Sequence, residues 1–216
     1  DDAVKSDQGL LTTIAYGLDG NVSYALEGSI YSSGNIIQWL RDKMKFFDDA
    51  KESEKYINAS GNSNNVLFLP AFNGLGAPFW DSNIRGGFKG ITQDTSINDI
   101  VTAAFHSIAF QTKEITKVLE INNININKLL VDGGMVANES FCQMLADTLQ
   151  KNINRPANVE STALGACKVA MMASGENISE IKSNSSNFEP NKSLENIYSI
   201  NYNNWKEYIN KNLSKS

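Results

Sequence analysis

Two short apolar-rich runs open the chain, over positions 10–16 and 22–30, with Leu18-Asp19-Gly20-Asn21 between them. Asp-Gly between apolar runs predicts a hairpin, because both central residues of a type I′ turn need positive φ. The period then changes. Ile36, Leu40, Met44 and Phe47 recur at helical spacing and predict a helix over 34–47, with a weaker one over 48–59. Val66-Leu67-Phe68-Leu69 is wholly apolar, as in a strand buried on both faces. A loop rich in glycine and aromatics follows over 71–81, then a strand over 86–91. The longest helix is predicted over 98–121, with Ser96 and Asp99 spaced as a capping box and Val101, Phe105, Ile108, Ile115 and Leu119 as its buried stripe.

Beyond it the chain reads as a strand over 128–131, the break Asp132-Gly133-Gly134, and a helix starting near Asn138 with Phe141, Leu145 and Leu149 inward. A short strand over 152–155 and a small-residue helix over 162–173 follow, the helix stopped by Gly175. Positions 176–195 are polar and loop-like, and Tyr198, Tyr202, Trp205 and Ile209 mark a terminal helix docked on the body. A hairpin followed by alternating helices and strands predicts an α/β fold with a mixed sheet covered by helices. The domain division expected is one lobe over 1–175, with 176–216 a connector and helix on the same lobe.

Composition narrows the function. The chain has 216 residues, 41% apolar and 20% charged, a size and balance that suit one sizeable globular domain. A net charge of −5 argues against a nucleic-acid surface, and no apolar run reaches membrane-span length. The opening Asp1 to Lys5 lacks the cationic stretch and apolar core of a signal peptide. Cys142 and Cys167 both lie in apolar helical patterns and are expected as buried free thiols; with one histidine they are too few for a zinc site. A cytoplasmic location fits this usage.

The candidate chemistry lies at two helix starts. In Leu130-Val131-Asp132-Gly133-Gly134-Met135-Val136-Ala137-Asn138, a buried strand is expected to run into paired glycines and a helix. Glycine admits close backbone approach, and a helix start with its free N–H groups suits an anion. Taken alone, the same residues fit a tight turn, and Asn138 a plain N-cap. At Gly34, Gln38 follows one turn later and could serve a purine or ribose edge, or simply be an exposed helix residue. Gly74 to Asp81 is too apolar for a mere linker and could shape a cleft wall or meet a partner domain; Arg85 could pair with Asp81. Thr162-Ala163-Leu164-Gly165-Ala166 is read as close helix packing, with a minor role in lining a nucleotide pocket open to it. There is no Walker-type phosphate loop, no Gly-x-Ser-x-Gly elbow, and His106 reads as structural.

Together these stretches resemble the C-terminal domain of the glycerol kinases of the FGGY carbohydrate kinase family. The matching runs are Gly9 to Ala15, Tyr24 to Gly28, Ile37 to Asp42, Pro70 to Asp81, Ser107 to Thr112, Val131 to Asn138 and Thr162 to Ala166, all in order. The resemblance implies a ribonuclease-H-like lobe of the actin and hexokinase ATPase type, without its first strand and so with an unpaired edge. It implies ATP/ADP contacts at Gly34, Gln38, Gly134 and Asn138, with Mg²⁺ bound mainly through the phosphates and no protein metal ligand. It implies that the general base, the glycerol-binding residues and the Gly-Thr-Gly phosphate hairpin belong to protein upstream of Asp1. No catalytic residue is therefore expected here, and this chain alone is expected to be inactive. The full-length enzyme is expected to be a cytoplasmic homo-oligomer that transfers phosphoryl from ATP to glycerol, with no nucleic-acid or membrane partner. Two alternatives stay open: a non-catalytic interaction module using the Gly76 to Trp80 surface and the open edge, and a lobe serving another polyol or sugar.

Overall fold

The computed structural model describes residues 3, 8–122, 124–158, 160–175 and 185–213. The predicted hairpin is present: β1 (Leu11–Leu18) pairs antiparallel with β2 (Asn21–Glu27), with Leu18 opposite Asn21. Asp19 (φ 50°) and Gly20 (φ 79°) supply the two positive-φ positions of the turn. An irregularity between Ile14 and Tyr16 shifts the register.

The first helix is shorter than its periodicity suggests. α1 (Gly34–Asp42) ends where the chain turns through Lys45 at φ 58°. The turn keeps Phe47 buried but leaves Met44 exposed, so Met44 is not on the inward face as expected. The weaker helix is a 3-10 segment, Ala50–Tyr56, capped by the Asp49 carboxylate, which accepts from Lys51 N. β3 (Leu67–Leu69) is buried throughout and pairs antiparallel with β4 (Gly87–Lys89).

α2 (Ile97–Ile121) runs through the middle of the fold. Its capping box is complete, with Ser96 accepting from Asp99 N and the Asp99 carboxylate accepting from Ser96 N. Val101, Phe105 and Ile108 are buried, whereas Ile115 and Leu119 are half-buried beside Leu10, Ala77 and Val118. β5 (Lys128–Leu130) leads through a 3-10 turn, Gly134–Ala137, into α3 (Glu139–Leu149). β6 (Asn152–Pro156) lies parallel to β5. α4 (Ser161–Ala173) ends before Gly175 at φ 78°, the left-handed cap expected there. β7 (Ser185–Phe188), in a stretch read as loop, adds antiparallel to β6; its sequence, Ser-Ser-Asn-Phe, has no apolar alternation to announce it. The rest of that stretch, 176–184, lies outside the described residues. α5 (Glu195–Asn212) closes the chain.

The strands pair as three small sheets: β1–β2, β3–β4 and the mixed β5–β6–β7. The main core lies where α1, α2, α3, β3 and β6 meet, and Tyr198 of α5 joins it. A second cluster holds Leu69, Leu75, Ile84 and Phe110 beneath Tyr202, Trp205 and Ile209. Trp205 is anchored at both ends: its ring is buried, and its Nε1 donates to Phe68 O at 2.9 Å. Beside it the buried Glu114 carboxylate accepts from Tyr202 Oη and from Lys206 Nζ at 3.0 Å. A carboxylate out of water needs such partners, because an unpaired buried charge is costly.

Candidate functional site

The paired glycines make an open turn. Gly133 has φ 87°, a conformation only glycine adopts freely, and the 3-10 turn after it is closed by Val136 N to Gly133 O and Asn138 N to Met135 O, both 3.3 Å. A Cβ built on Gly133 or on Gly134 would meet nothing within 4 Å among the described residues. Crowding by the described residues therefore does not force these glycines, and none of those residues' side chains fills the space above them.

The start of α3 is less free than the sequence suggests. Asn138 Oδ1 accepts from Phe141 N at 2.8 Å, and Glu54 Oε1 accepts from Ser140 N at 2.9 Å. Two of the early N–H groups and the positive end of the helix thus already face an amide oxygen and a carboxylate. This corrects the expectation of free N–H groups at the α3 start: the open backbone is the glycine turn before it. Asn138 Nδ2 is buried without a hydrogen-bond partner among the described residues. An orphaned donor of this kind is costly unless something accepts from it.

α1 brings the other pair. A Cβ on Gly34 would stand 3.6 Å from Met135 Cγ and 3.7 Å from Met135 Sδ, so the α1 start abuts the glycine turn. Gln38 lies one helical turn beyond Gly34, on the same face and exposed. The structure therefore brings Gly34 against Met135, the residue that follows Gly134 and whose carbonyl accepts from Asn138 N, while Gln38 stands one turn further along α1. Ser32, just before α1, is buried with its Oγ unpartnered among the described residues.

Other expectations are corrected. β5 is not buried: Leu130 is 72% exposed. α4 has no buried residue, and a Cβ on Gly165 would touch nothing within 4 Å among the described residues, so none of these packs closely on this helix. For the same reason Cys167 is exposed, against the expectation for both thiols. Cys142 is buried as expected, and burial pushes its thiol up to about 11. The loop over 71–81 packs within the chain: Ala77 N donates to Ser29 O at 2.9 Å and Trp80 Nε1 to Gly9 O at 2.6 Å, clasping the hairpin's two ends. Arg85 Nη1 donates to the carbonyls of Ser82 and Ile84, at 2.7 and 2.9 Å. His106 is structural, stacked on Phe110 and edge-on to Tyr198 with centroids 5.1 and 5.5 Å away.

Two residues that frame the site went unnoticed in the sequence. Glu54 reaches α3 from a distant 3-10 segment, and no local pattern marks it. Arg155 lies at the carboxyl end of β6 and donates to Val136 O at 2.9 Å. A basic residue ending the strand beside β5 was the one available signal.

Residues 1–174 match the family model for the C-terminal domain of the FGGY family of carbohydrate kinases. The chain belongs to that family. Glycerol kinase of Bacillus mycoides (strain KBAB4) is 44% identical over 213 residues, covering 96% of this chain and 43% of that protein. Glycerol kinase of Marinomonas sp. (strain MWYL1) is 46% identical over 175 residues, covering 81% of this chain and 35% of that protein. The chain thus spans less than half the length of these relatives. Among solved structures, Plasmodium falciparum glycerol kinase with ADP superposes with a TM-score of 0.85 at 32% identity, covering 100% of this chain and 44% of that one. Ligand-bound xylulose kinase from Lactobacillus acidophilus has the same fold at 23% identity (TM-score 0.79). These neighbours agree with an actin- and hexokinase-like kinase lobe. No helix of the described residues is long and apolar enough to cross a membrane.

Proposed function

We propose that this chain supplies the nucleotide side of an ATP-dependent glycerol kinase, with Gly34, Gln38, Gly134 and Asn138 as its ATP/ADP contacts. The observation that carries the reading is the approach of Gly34 to Met135, which sets two glycine-containing helix starts against each other beside open space. The orphaned Asn138 Nδ2 supports it, since a nucleotide acceptor would supply the missing partner. Glycerol as acceptor is favoured by the 44% identity to a glycerol kinase, and adenosine diphosphate by the solved relative that holds it.

In the full-length enzyme, the γ-phosphoryl group of ATP passes in line to a glycerol hydroxyl. Such transfer depends on positioning and charge stabilisation more than on covalent help from the protein. This lobe would hold the leaving nucleotide. The glycerol site and general base would come from the remainder of the enzyme, and closure of the two lobes would exclude water. Among the described residues no cluster of three or more His, Cys, Asp or Glu could cage a metal ion. Mg²⁺ fits this lobe as an ion carried on the phosphates, where it would neutralise their charge, with exposed Asp132 the carboxylate nearest the glycine pair in sequence. A cytoplasmic, homo-oligomeric enzyme completes the reading.

Titration calorimetry tests it. The chain should bind ADP weakly, with a Kd near or below about 1 mM, roughly −4 kcal/mol. Gly134→Val, which fills the space above the turn, should abolish that heat. No binding at millimolar ADP would sink the nucleotide assignment. Sustained glycerol phosphorylation by this chain alone, in a coupled assay, would overturn the division of labour.

A further inference from the structure

The guanidinium of Arg155 ties together three segments around the glycine turn, one through its backbone and two through side chains. Its Nη1 donates to Val136 O at 2.9 Å and to Ala137 O at 3.5 Å, the last two carbonyls of the 3-10 turn. Its Nη2 donates to Glu139 Oε1 at 3.0 Å, in the first turn of α3, and to Ser186 Oγ of β7 at 3.3 Å. Its Cζ lies 5.4 Å from the Phe188 ring centroid, so the planar group is pressed against β7. The side chain is 15% exposed, a low value for arginine. Val136 O also accepts from Cys142 Sγ at 3.3 Å, so the same carbonyl is held from two directions.

β5 and β6 run parallel, so their carboxyl ends open on the same side, where ligands sit in open α/β sheets. Arg155 stands at the end of one strand and the glycine turn follows the end of the other. The turn itself is held by two internal bonds of 3.3 Å, long for backbone N–H to O. It borders open space and lacks side chains at Gly133 and Gly134 to anchor it. An external clamp is what such a segment requires if its N–H groups are to stay aimed.

We infer that Arg155 is the positioning residue of the nucleotide seat: it acts through the turn, fixing the backbone from Gly134 to Ala137, and does not itself touch the ligand. The assignment rests on the nucleotide reading above. A lysine could satisfy one carbonyl as a point donor but could not span the turn, Glu139 and Ser186 with a planar fork.

Amide hydrogen exchange on the ligand-free chain reads the positioning directly, and ADP calorimetry reads its consequence. In Arg155→Met, the Val136 and Asn138 amides should exchange at least about tenfold faster while the α2 amides keep their protection. ADP affinity should fall about ten- to a hundredfold. Arg155→Lys should recover part of both. Unchanged exchange at Val136 and Asn138 in the Met variant overturns the inference, as does unchanged ADP affinity. Loosening that reaches α2 in both variants also overturns it, since Arg155 would then be a general prop. Failure of the unsubstituted chain to bind ADP is a different result: it removes the nucleotide reading, while the exchange comparison still decides whether Arg155 holds the turn.

Discussion

The α5 stripe and the β1–β2 hairpin carry comparable apolar side chains, yet Tyr198, Tyr202, Trp205 and Ile209 are buried whereas Leu11, Ile14, Tyr16, Val22 and Tyr24 are exposed. α4 sides with the hairpin, its Val169, Met171 and Met172 open to solvent. Apolar patterning states what a segment is able to bury; a facing partner decides whether it does. α5 finds β3, Phe110 of α2 and the Leu75–Ile84 region beneath it. The hairpin meets the body through its two ends, clasped by the loop over 71–81, and through Leu10 and Leu26. Grouped exposed apolar side chains mark contact surfaces, so the hairpin and α4 are where a covering partner would be sought.

This contrast can be broken at its strongest point. Trp205→Ala removes a side chain that is 1% exposed and frees Phe68 O, and should cost about 3–5 kcal/mol in urea unfolding. A loss below about 1 kcal/mol would mean that α5 is draped on the fold and not part of its core.

The contrast can be sharpened by pH, because the single histidine lies in the buried region. Burial lowers the His106 imidazole from 6.5 to about 3. Below pH 6.5 the unfolded chain takes up a proton that the folded chain refuses. Stability from this group is thus intact above pH 6.5 and falls with pH by up to about 1.4 kcal/mol per unit, roughly 2 kcal/mol by pH 5. Melting temperatures of the natural chain and His106→Phe, compared from pH 7 to 5, isolate the effect: the substituted chain should have the flatter profile. Parallel profiles would place His106 in water.

The smallest effect belongs to the hairpin. Ile14 is 63% exposed, and Ile14→Ala should change unfolding free energy by less than about 0.5 kcal/mol. A change like that of Trp205→Ala would erase the distinction between the two regions.

The features legible in the sequence were those decided within a few residues. Asp19-Gly20, the Ser96–Asp99 box, the Asn138 cap and the Gly175 stop each depend on local φ, ψ and short-range hydrogen bonds, and each is present. The stripes on α2, α3 and α5 were legible because 3.6-residue spacing survives as long as the helix does. It misled at Met44, where the helix ends at Asp42 before the pattern does. The exposure of α4 and Cys167 was hidden, since small apolar residues look the same whether or not a neighbour faces them. Gly34 and Gly134 were legible as helix starts, but their meeting through Met135 is a tertiary fact. Glu54 and Arg155 were invisible for a related reason: each acts on backbone far from it in the chain, and charge on a short segment carries no address.

The meeting of Gly34 with Met135 has a consequence for how this lobe comes into being. The two halves of the cradle lie on opposite sides of α2 in the chain, so neither is complete until both flanks have docked on that helix. No partial product of folding, and no proteolytic piece severed within α2, could display it. Any small molecule captured there recognises only the finished lobe, and by mass action raises its melting temperature. Recognition at this spot would therefore certify that the chain has finished folding.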